Sequence, residues 1–189
     1  YSVGQAHIGK QLSDKQMSEY KTQGAKTWQS LTQGNYQSLG LTDKLPKIKT
    51  NTPLAPSAQS AKELMATTMA IFGQEIIVPG PTKYLSVYVN SASLVDHIGN
   101  DLQRSRFIPL LPEVINNPQE VWASFEKHQG TGKVALRLRY IKQIDMGKGK
   151  NLLLVAQVVK GLIEAWTFIP TNSLGYINNQ RRGILLYSE

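Results

Sequence analysis

The chain has 189 residues, of which 41% are hydrophobic, so it is long enough to bury a core. No run approaches the ~18 to 20 consecutive apolar residues of a membrane span, and the lack of cysteine excludes disulfides and thiolate metal sites. The net charge of +8, from 21 basic and 13 acidic residues, suits a polyanionic partner, although excess charge also serves solubility.

Residues 1–59 are predicted to form a separate N-terminal region. The segment from Ser13 to about Ser38 is polar and rich in glutamine, with a few large apolar side chains at roughly helical spacing, which predicts weak helices. The next stretch, "LPKIKTNTPLAPSAQSA", contains three prolines and little apolar content. Such a composition buries too little surface to fold alone, so it is predicted to be a linker.

Residues 60–189 are predicted to form one globular domain that opens with helices. "SAKELMATTMAIFG" has the signature of a short helix, with Ser60 as N-cap, Glu63 as its capping-box partner and Gly73 as the stop. "KYLSVYVN" alternates and predicts a strand. Two further helices are predicted, one through "LVDHIGNDLQRSR" after a cap at Ser91 or Ser93, and a short one at "IPLLPEVINN".

The second part of this domain is predicted to be mostly sheet. "EVWASFEK" and "KVALRLRYIKQI" flank the turn "HQGTG" as a hairpin, and "NLLLVAQVV", apolar on both faces, should be a central strand. "LIEAWTFI" and "ILLY" are the remaining predicted strands. Helices followed by a meander predict an α+β fold, with N-terminal helices packed on one face of a small twisted antiparallel sheet.

Two familiar kinds of site are not supported by the motifs present. "GTGK" and "GKGK" lie between predicted strands and lack the spacing and helix context of a phosphate-binding P-loop, so hairpin turns are favoured. The three histidines, His7, His97 and His128, are far apart, and no pair of acids lies beside them at ligand spacing. We therefore predict neither a metal nor a cofactor.

Basic residues are concentrated in the second half of the chain. From Lys127 to Lys150 there are seven basic residues and one acid. In the strand "RLRYIK", Arg137 and Arg139 face away from Leu136 and Leu138, and if helices cover the leucine face, these arginines stand on an open sheet surface. The alternative is a merely solvated face. The predicted nucleic-acid contacts are Arg137, Lys142, Lys148, Lys150 and Arg182.

Candidate catalytic residues lie in the last strands and in one helix. Thr167, Arg181 and Tyr187 belong to the final 23 residues, where guanidinium groups could stabilise a pentacoordinate phosphorane and hydroxyls could orient a scissile phosphate. His97 could exchange protons near neutral pH, although a lone helix histidine is often only structural.

The series "LVDHIGNDLQRSRFIPLLPEVINNPQEVW", "RLRYIK", "LLLVAQVV", "WTFIPT" and "QRRGILLY" resembles phage-encoded nuclease-like domains of the barnase, EndoU, colicin E/D and RelE fold. Such domains occur at the C-termini of Mu F-like head-morphogenesis proteins and in related toxins. The resemblance covers about Leu85 to Tyr187. Its most specific parts are "PQEVW", the Arg-Tyr-Ile strand that follows, and the terminal "QRRGILLY".

This resemblance implies a barnase-like domain with a metal-independent ribonuclease site. By position it assigns catalytic roles to His97, Arg139, Thr167, Arg181 and Tyr187. The glutamate base of barnase has no convincing counterpart, although Glu164 could serve. The implied partners are RNA and, further, an immunity protein or phage head and virion proteins, with no membrane, and the implied location is a phage virion or the bacterial cytoplasm.

Two function classes remain open at this point. The leading hypothesis is an endoribonuclease, and the alternative is a non-catalytic virion or interaction module that binds nucleic acid through its basic sheet face. The basic strand supports both equally, and only the Thr, Tyr, Arg and His side chains favour catalysis. A NAD-using transferase ranks last, because no Ser-Thr-Ser strand or paired-glutamate motif is recognisable.

Overall fold

The computed structural model of the chain describes residues 13–23 and 34–189. His7 and part of the predicted weakly helical segment lie outside the described residues. Within that segment, helix α1 spans Asp14–Thr22. Among the described residues, no helix is both long and apolar enough to cross a membrane.

The helical layer lies between residues 61 and 116. It contains α2 (Ala61–Phe72), α3 (Ser91–Ile98), a 3₁₀ segment (Leu102–Leu110) and α4 (Leu111–Asn116). The predicted caps of α2 are confirmed, since the Ser60 side chain accepts a hydrogen bond from the Glu63 amide and Gly73 has φ 67°. α3 is shorter than predicted, because Asn90 rather than a serine caps it and Gly99, at φ 66°, ends it.

In the part of the chain that the structure describes, seven strands form one sheet in the order β1-β2-β6-β5-β4-β3-β7. All neighbours are antiparallel except β2 and β6, which are parallel. The predicted α+β class is confirmed, as is the central place of the strand "NLLLVAQVV". The sequence did not predict β1, nor the helix α5 (Leu174–Gln180) before the last strand. The strands are β1 (Glu75–Val78), β2 (Val87–Asn90), β3 (Glu120–Lys127), β4 (Val134–Met146), β5 (Lys148–Val159), β6 (Leu162–Thr171) and β7 (Ile184–Ser188).

The two faces of the sheet bury different cores. On one face Leu136, Leu138 and Tyr140 are buried together with the apolar side chains of α2, α3 and α4, which confirms that helices cover the leucine face of β4. The opposite face carries a smaller cluster, in which Trp122 and Ile141 pack among side chains of α5 and the N-terminal segment. We call this opposite side the open face, because the described residues cover only part of it.

Residues 34–58, which include most of the predicted linker, lie against the globular part. Ile48 forms a parallel bridge to Ile144, and the amide of Ala58 donates to Ser105 Oγ at 2.7 Å. Leu45 is buried in the small cluster of the open face. The composition of this stretch predicted an unpacked linker, but its few apolar residues dock onto surfaces that the domain provides. Whether residues 1–59 are separable from the domain stays a prediction.

Candidate active site

The open face carries a row of polar side chains that crosses five strands. Cross-strand register places five residues side by side, and all but the last are partly exposed: Tyr88, Glu164, Gln157, Arg137 and Ser124. In the next row Thr167 neighbours Val155, and Val155 neighbours Arg139. Because side chains alternate between faces along each strand, these two rows project from the same side of the sheet.

At one end of these rows three arginines surround a single carboxylate. Arg137 Nη1 lies 3.3 Å from Glu126 Oε2, and Arg182 Nη2 lies 3.1 Å from Oε1. Arg139 Nη2 also contacts Oε1. We call Glu126 with these three arginines the arginine cluster. The sequence did not reveal Glu126, although the hairpin register, which pairs Glu126 with Ala135, puts it diagonally beside Arg137.

Arg139 is the buried member of this cluster. Its Nε donates to Gln180 Oε1 at 2.9 Å and its Nη1 donates to Ser124 Oγ at 2.5 Å, so the guanidinium is fixed from two further sides. Burial lowers the pKa of Arg139 to about 10, and nearby Arg182 acts in the same direction, while Tyr176 acts against it. Arg139 therefore remains a cation at neutral pH, in a place where water screens it little.

His97 lies on α3 and contacts β6 through Trp166. Its Nδ1 is 2.8 Å from the carbonyl oxygen of Ser93. Since a carbonyl oxygen only accepts, Nδ1 carries the proton in this contact and Nε2 is the atom that can exchange one. The imidazole stacks on Trp166, with ring centroids 3.7 Å apart and planes tilted by 33°.

A β-bulge in β6 turns Trp166 towards His97. Ala165 pairs with Ala156 and Thr167 pairs with Val155, so Trp166 is an extra residue without a partner on β5. Bulges re-aim side chains and are common beside active sites. This bulge returns Thr167 to the open face, directly after the residue that stacks on His97.

Arg104 completes this corner. Its Nη1 donates to Thr167 Oγ1 and to the carbonyl oxygen of Phe168, each at 3.3 Å, while its Nε lies 3.0 Å from Asp101 Oδ2. We call His97, Arg104, Trp166 and Thr167 the His97 corner. Sequence reasoning did not identify Arg104. It follows His97 by seven residues, but α3 ends at Ile98, so this spacing could not place Arg104 relative to His97.

Of the predicted catalytic residues, His97 stacks on Trp166, and Thr167 is the next residue along β6. Arg139 lies on the same face, with one strand between it and Thr167, so the two backbones are about 10 Å apart. Glu164, the predicted alternative base, stands in the first row beside Tyr88. Among the described residues, no group of three or more His, Asp or Glu side chains is arranged to hold a metal ion.

The structure does not bring the other two predicted catalytic residues to this face. Arg181 is fully buried, and all of its nitrogens have partners inside the protein, chiefly Glu120. Tyr187 pairs with Val121 and packs against the helix-side core. Neither side chain reaches the surface on which Arg139 and Thr167 lie.

The predicted nucleic-acid contacts are also divided between the two faces. Arg137 and Arg182 stand at the open face, in the arginine cluster. Lys142 is buried, with its ammonium donating to the carbonyl oxygen of Asn117 at 2.7 Å, and this burial lowers its pKa. Lys150 lies over the ring of Phe107, a residue of the helix-side core. The side chain of Lys148 lies outside the described residues.

Comparison with known families agrees with this architecture. A family model described as phage-Barnase-EndoU-ColicinE5/D-RelE like nuclease2 matches residues 65–188. The match begins within α2 and contains all seven strands, both polar rows and both side-chain groups described above. No curated protein and no solved structure shows significant similarity to the chain. Since the match spans well over half of its length, the chain belongs to the family of phage-Barnase-EndoU-ColicinE5/D-RelE like nucleases to which that model refers.

Proposed function

We propose that the protein is an endoribonuclease that cleaves RNA by attack of the RNA's own 2′-hydroxyl and needs no metal. The observation that carries this proposal is the His97 corner, where the His97 ring stacks on Trp166 and the Arg104 guanidinium donates to the hydroxyl of Thr167, the next residue along β6. Family membership supports a nuclease in general. The choice of RNA and of a metal-free reaction is our inference from these side chains.

The chemistry needs a proton acceptor, a proton donor and donors to the phosphate oxygens. The 2′-oxygen forms a bond to phosphorus while the bond from phosphorus to the 5′-oxygen breaks, leaving a 2′,3′-cyclic phosphate and a free 5′-hydroxyl. The proton of the 2′-hydroxyl goes to the base, and an acid supplies a proton to the leaving oxygen. No metal is needed to generate the nucleophile, because the nucleophile belongs to the substrate.

We assign one proton transfer to His97, through Nε2. Glu164 is our candidate for the other, because it lies on the open face two residues before the bulge in β6. Arg104 and Thr167 are placed to donate to the non-bridging phosphate oxygens, whose negative charge grows in the transition state. Arg139 adds a second fixed cation about 10 Å along the face.

A non-catalytic module that binds nucleic acid through the same face is the alternative. The exposed arginines of the cluster favour it as much as they favour an enzyme. We further propose that RNA is the partner in either case, that an immunity protein or virion proteins are additional partners, and that the protein acts from a phage virion or in the bacterial cytoplasm. The matched family is described as a phage family, which supports a virion or bacterial location.

The decisive experiment incubates the purified chain with total RNA in EDTA and maps the ends of the products. We expect cleavage that persists in EDTA and leaves 2′,3′-cyclic phosphates, and we expect His97→Ala to lose it. The matched control is His128→Ala, because His128 sits in the exposed turn after β3, where its ring contacts Thr131 of the same turn. Cleavage that requires magnesium would refute the mechanism, and RNA binding without cleavage would establish the alternative.

A further inference from the structure

We propose that the arginine cluster is a subsite for a phosphate of the RNA backbone away from the scissile bond, and that Glu126 is its internal counter-ion, which the phosphate replaces. This inference rests on the proposed function and deepens it, because it states where the substrate chain continues beyond the cut.

The charges of the cluster are unbalanced in favour of an anion. Three guanidiniums face one carboxylate, which leaves a local charge of +2. The side chains of Arg137 and Arg182 are 32% and 42% exposed, so each can turn towards a ligand in solvent. Arg139 instead stays in place, held by Ser124 and Gln180. The cluster therefore combines one rigid cation with two that can reach outwards.

Glu126 occupies the position that a phosphate would take. One of its oxygens accepts from Arg139 and Arg182, and the other lies 3.3 Å from Arg137 Nη1, so the two oxygens together contact all three guanidiniums. Two non-bridging oxygens of a phosphodiester present the same arrangement of acceptors, and guanidinium forks bind carboxylates and phosphates by the same geometry. The carboxylate is 22% exposed, so it can swing aside into water when a stronger anion arrives.

The same contacts make Glu126 a poor general base. The oxygens that face the cluster are already in contact with three guanidiniums, so these contacts must break before either oxygen can reach a substrate hydroxyl. A base must also lie within hydrogen-bond reach of the proton it removes. Glu126 lies on β3, three strands away from Thr167 on β6.

The partly exposed side chains of the first polar row lead from the subsite towards β6, the strand that carries Trp166 and Thr167. In the first row Gln157 and Glu164 lie between Arg137 and Tyr88, and in the second row only Val155 separates Arg139 from Thr167. The distance from Arg139 to Thr167 is two strand spacings, or about 10 Å. A short stretch of single-stranded RNA that crosses the strands can place one phosphate at the corner and another at the cluster.

The test measures binding of a 2′-O-methyl RNA oligonucleotide, which lacks the nucleophile and cannot be cut. We expect Glu126→Gln, which removes the internal anion with little change in shape, to tighten binding roughly threefold or more and to steepen its salt dependence. Arg182→Gln should weaken binding and reduce the log–log salt slope by about 0.7, the value for one phosphate contact on a single strand.

Two controls separate the subsite from general charge and from folding. Lys127→Gln removes one charge from the exposed neighbour of Glu126, so it should change the slope less than Arg182→Gln does. Thermal unfolding of each variant identifies any loss of structure, and Arg182→Gln, at an exposed side chain, gives an independent readout if Glu126→Gln does not fold.

Each result decides between the ideas. Unchanged binding in folded Glu126→Gln and Arg182→Gln would overturn the subsite. A Glu126→Gln variant that binds like the parent but no longer cuts RNA would also overturn it, because Glu126 would then be the base. If the expected binding shifts occur while the parent does not cut RNA, the subsite stands and the proposed ribonuclease activity fails.

Discussion

Arg181 and Glu120 form a bidentate ion pair inside the protein, with Nε 2.6 Å from Oε1 and Nη2 2.7 Å from Oε2. The remaining nitrogen, Nη1, donates to the carbonyl oxygen of Thr42, and the guanidinium lies 4.4 Å from the ring centroid of Tyr36. One arginine thus joins β3, the end of α5 and the N-terminal segment. Its neighbour Arg182 points instead to the arginine cluster.

We predict that Arg181→Lys destabilises the protein rather than removing only its activity. A lysine ammonium cannot reproduce the fork, so one oxygen of the buried Glu120 carboxylate loses its charged partner. Breaking a buried pair costs about 3–5 kcal/mol, and we expect a loss approaching that range in urea unfolding. Arg182→Lys is the control and should cost less than Arg181→Lys, because its side chain is 42% exposed and a lysine keeps the charge beside Glu126. An Arg181→Lys protein as stable as the parent but without cleavage would instead support the catalytic role that the sequence resemblance implies for Arg181.

A second prediction concerns Gly183, which leads into β7. Its φ is 100°, and a Cβ at this position would lie 2.2 Å from the carbonyl oxygen of Ala123 on β3. Gly183→Ala should therefore cost on the order of 2 kcal/mol or more, because neither backbone can move without breaking the pairing of β3 and β7. Gly40→Ala is the matched control, since Gly40 also has a positive φ, 72°, but has open space around its Cβ position. Equal losses in the two variants would show that the close approach does not matter.

A third prediction concerns the N-terminal segment. A chain that begins at residue 60 should be less stable than one that begins at residue 34, because it lacks the buried side chains of Leu45 and Ala58 and the carbonyl that Arg181 binds at Thr42. Residues 1–33 are absent from both chains, so they do not affect the comparison. Limited proteolysis is the complementary measurement: a stable core that begins near Ser60 would support the predicted boundary, and resistance across Thr50 to Ser60 would support the docked segment. Equal unfolding free energies for the two chains would contradict the prediction.

A fourth prediction uses the buried ammonium of Lys142. Lys142→Met should leave the salt dependence of RNA binding unchanged, because this side chain is only 2% exposed. Burial lowers its pKa below the ordinary 10.5, so the unfolded chain holds the proton more tightly than the folded protein does. The cost of this buried charge is full below the lowered pKa and fades as the pH rises towards 10.5. The free energy of unfolding of the parent, relative to that of Lys142→Met, should therefore increase as the pH rises towards 10.5. A difference that does not change with pH would contradict the prediction.

The sequence predicted what depends on local periodicity. Alternation along β4 put Arg137 and Arg139 on the face opposite Leu136 and Leu138, and the structure confirms this because a strand has a period of two whatever lies beside it. The α+β class followed from the order of helices and strands. The confirmed cap of α2 rests on a local hydrogen bond between the Ser60 side chain and the Glu63 amide.

Local periodicity could not predict contacts between segments that are distant in sequence. Arg181 and Arg182 are adjacent and chemically identical, yet one is buried and the other exposed, because only the fold places Glu120 beside the first. Arg104 meets Thr167 across 63 residues of sequence. The bulge at Trp166 likewise depends on how β6 packs between β5 and α3, which no periodicity in "LIEAWTFI" indicates.

The last prediction concerns His97 and the pH dependence of cleavage. Because we assign one proton transfer to His97, His97→Ala should remove one limb of the pH–rate profile, recorded from about pH 5 to 8, and it should lower the rate by about 10²- to 10⁴-fold. Trp166→Leu should have a smaller effect, since it removes the ring that positions His97 but leaves Nε2 intact. The measurement is the cleavage rate of a short RNA across this pH range, with thermal unfolding of each variant as the control. A His97→Ala protein that folds and keeps both limbs would place the proton transfer elsewhere on the open face, and Glu164→Gln would then be the variant to compare.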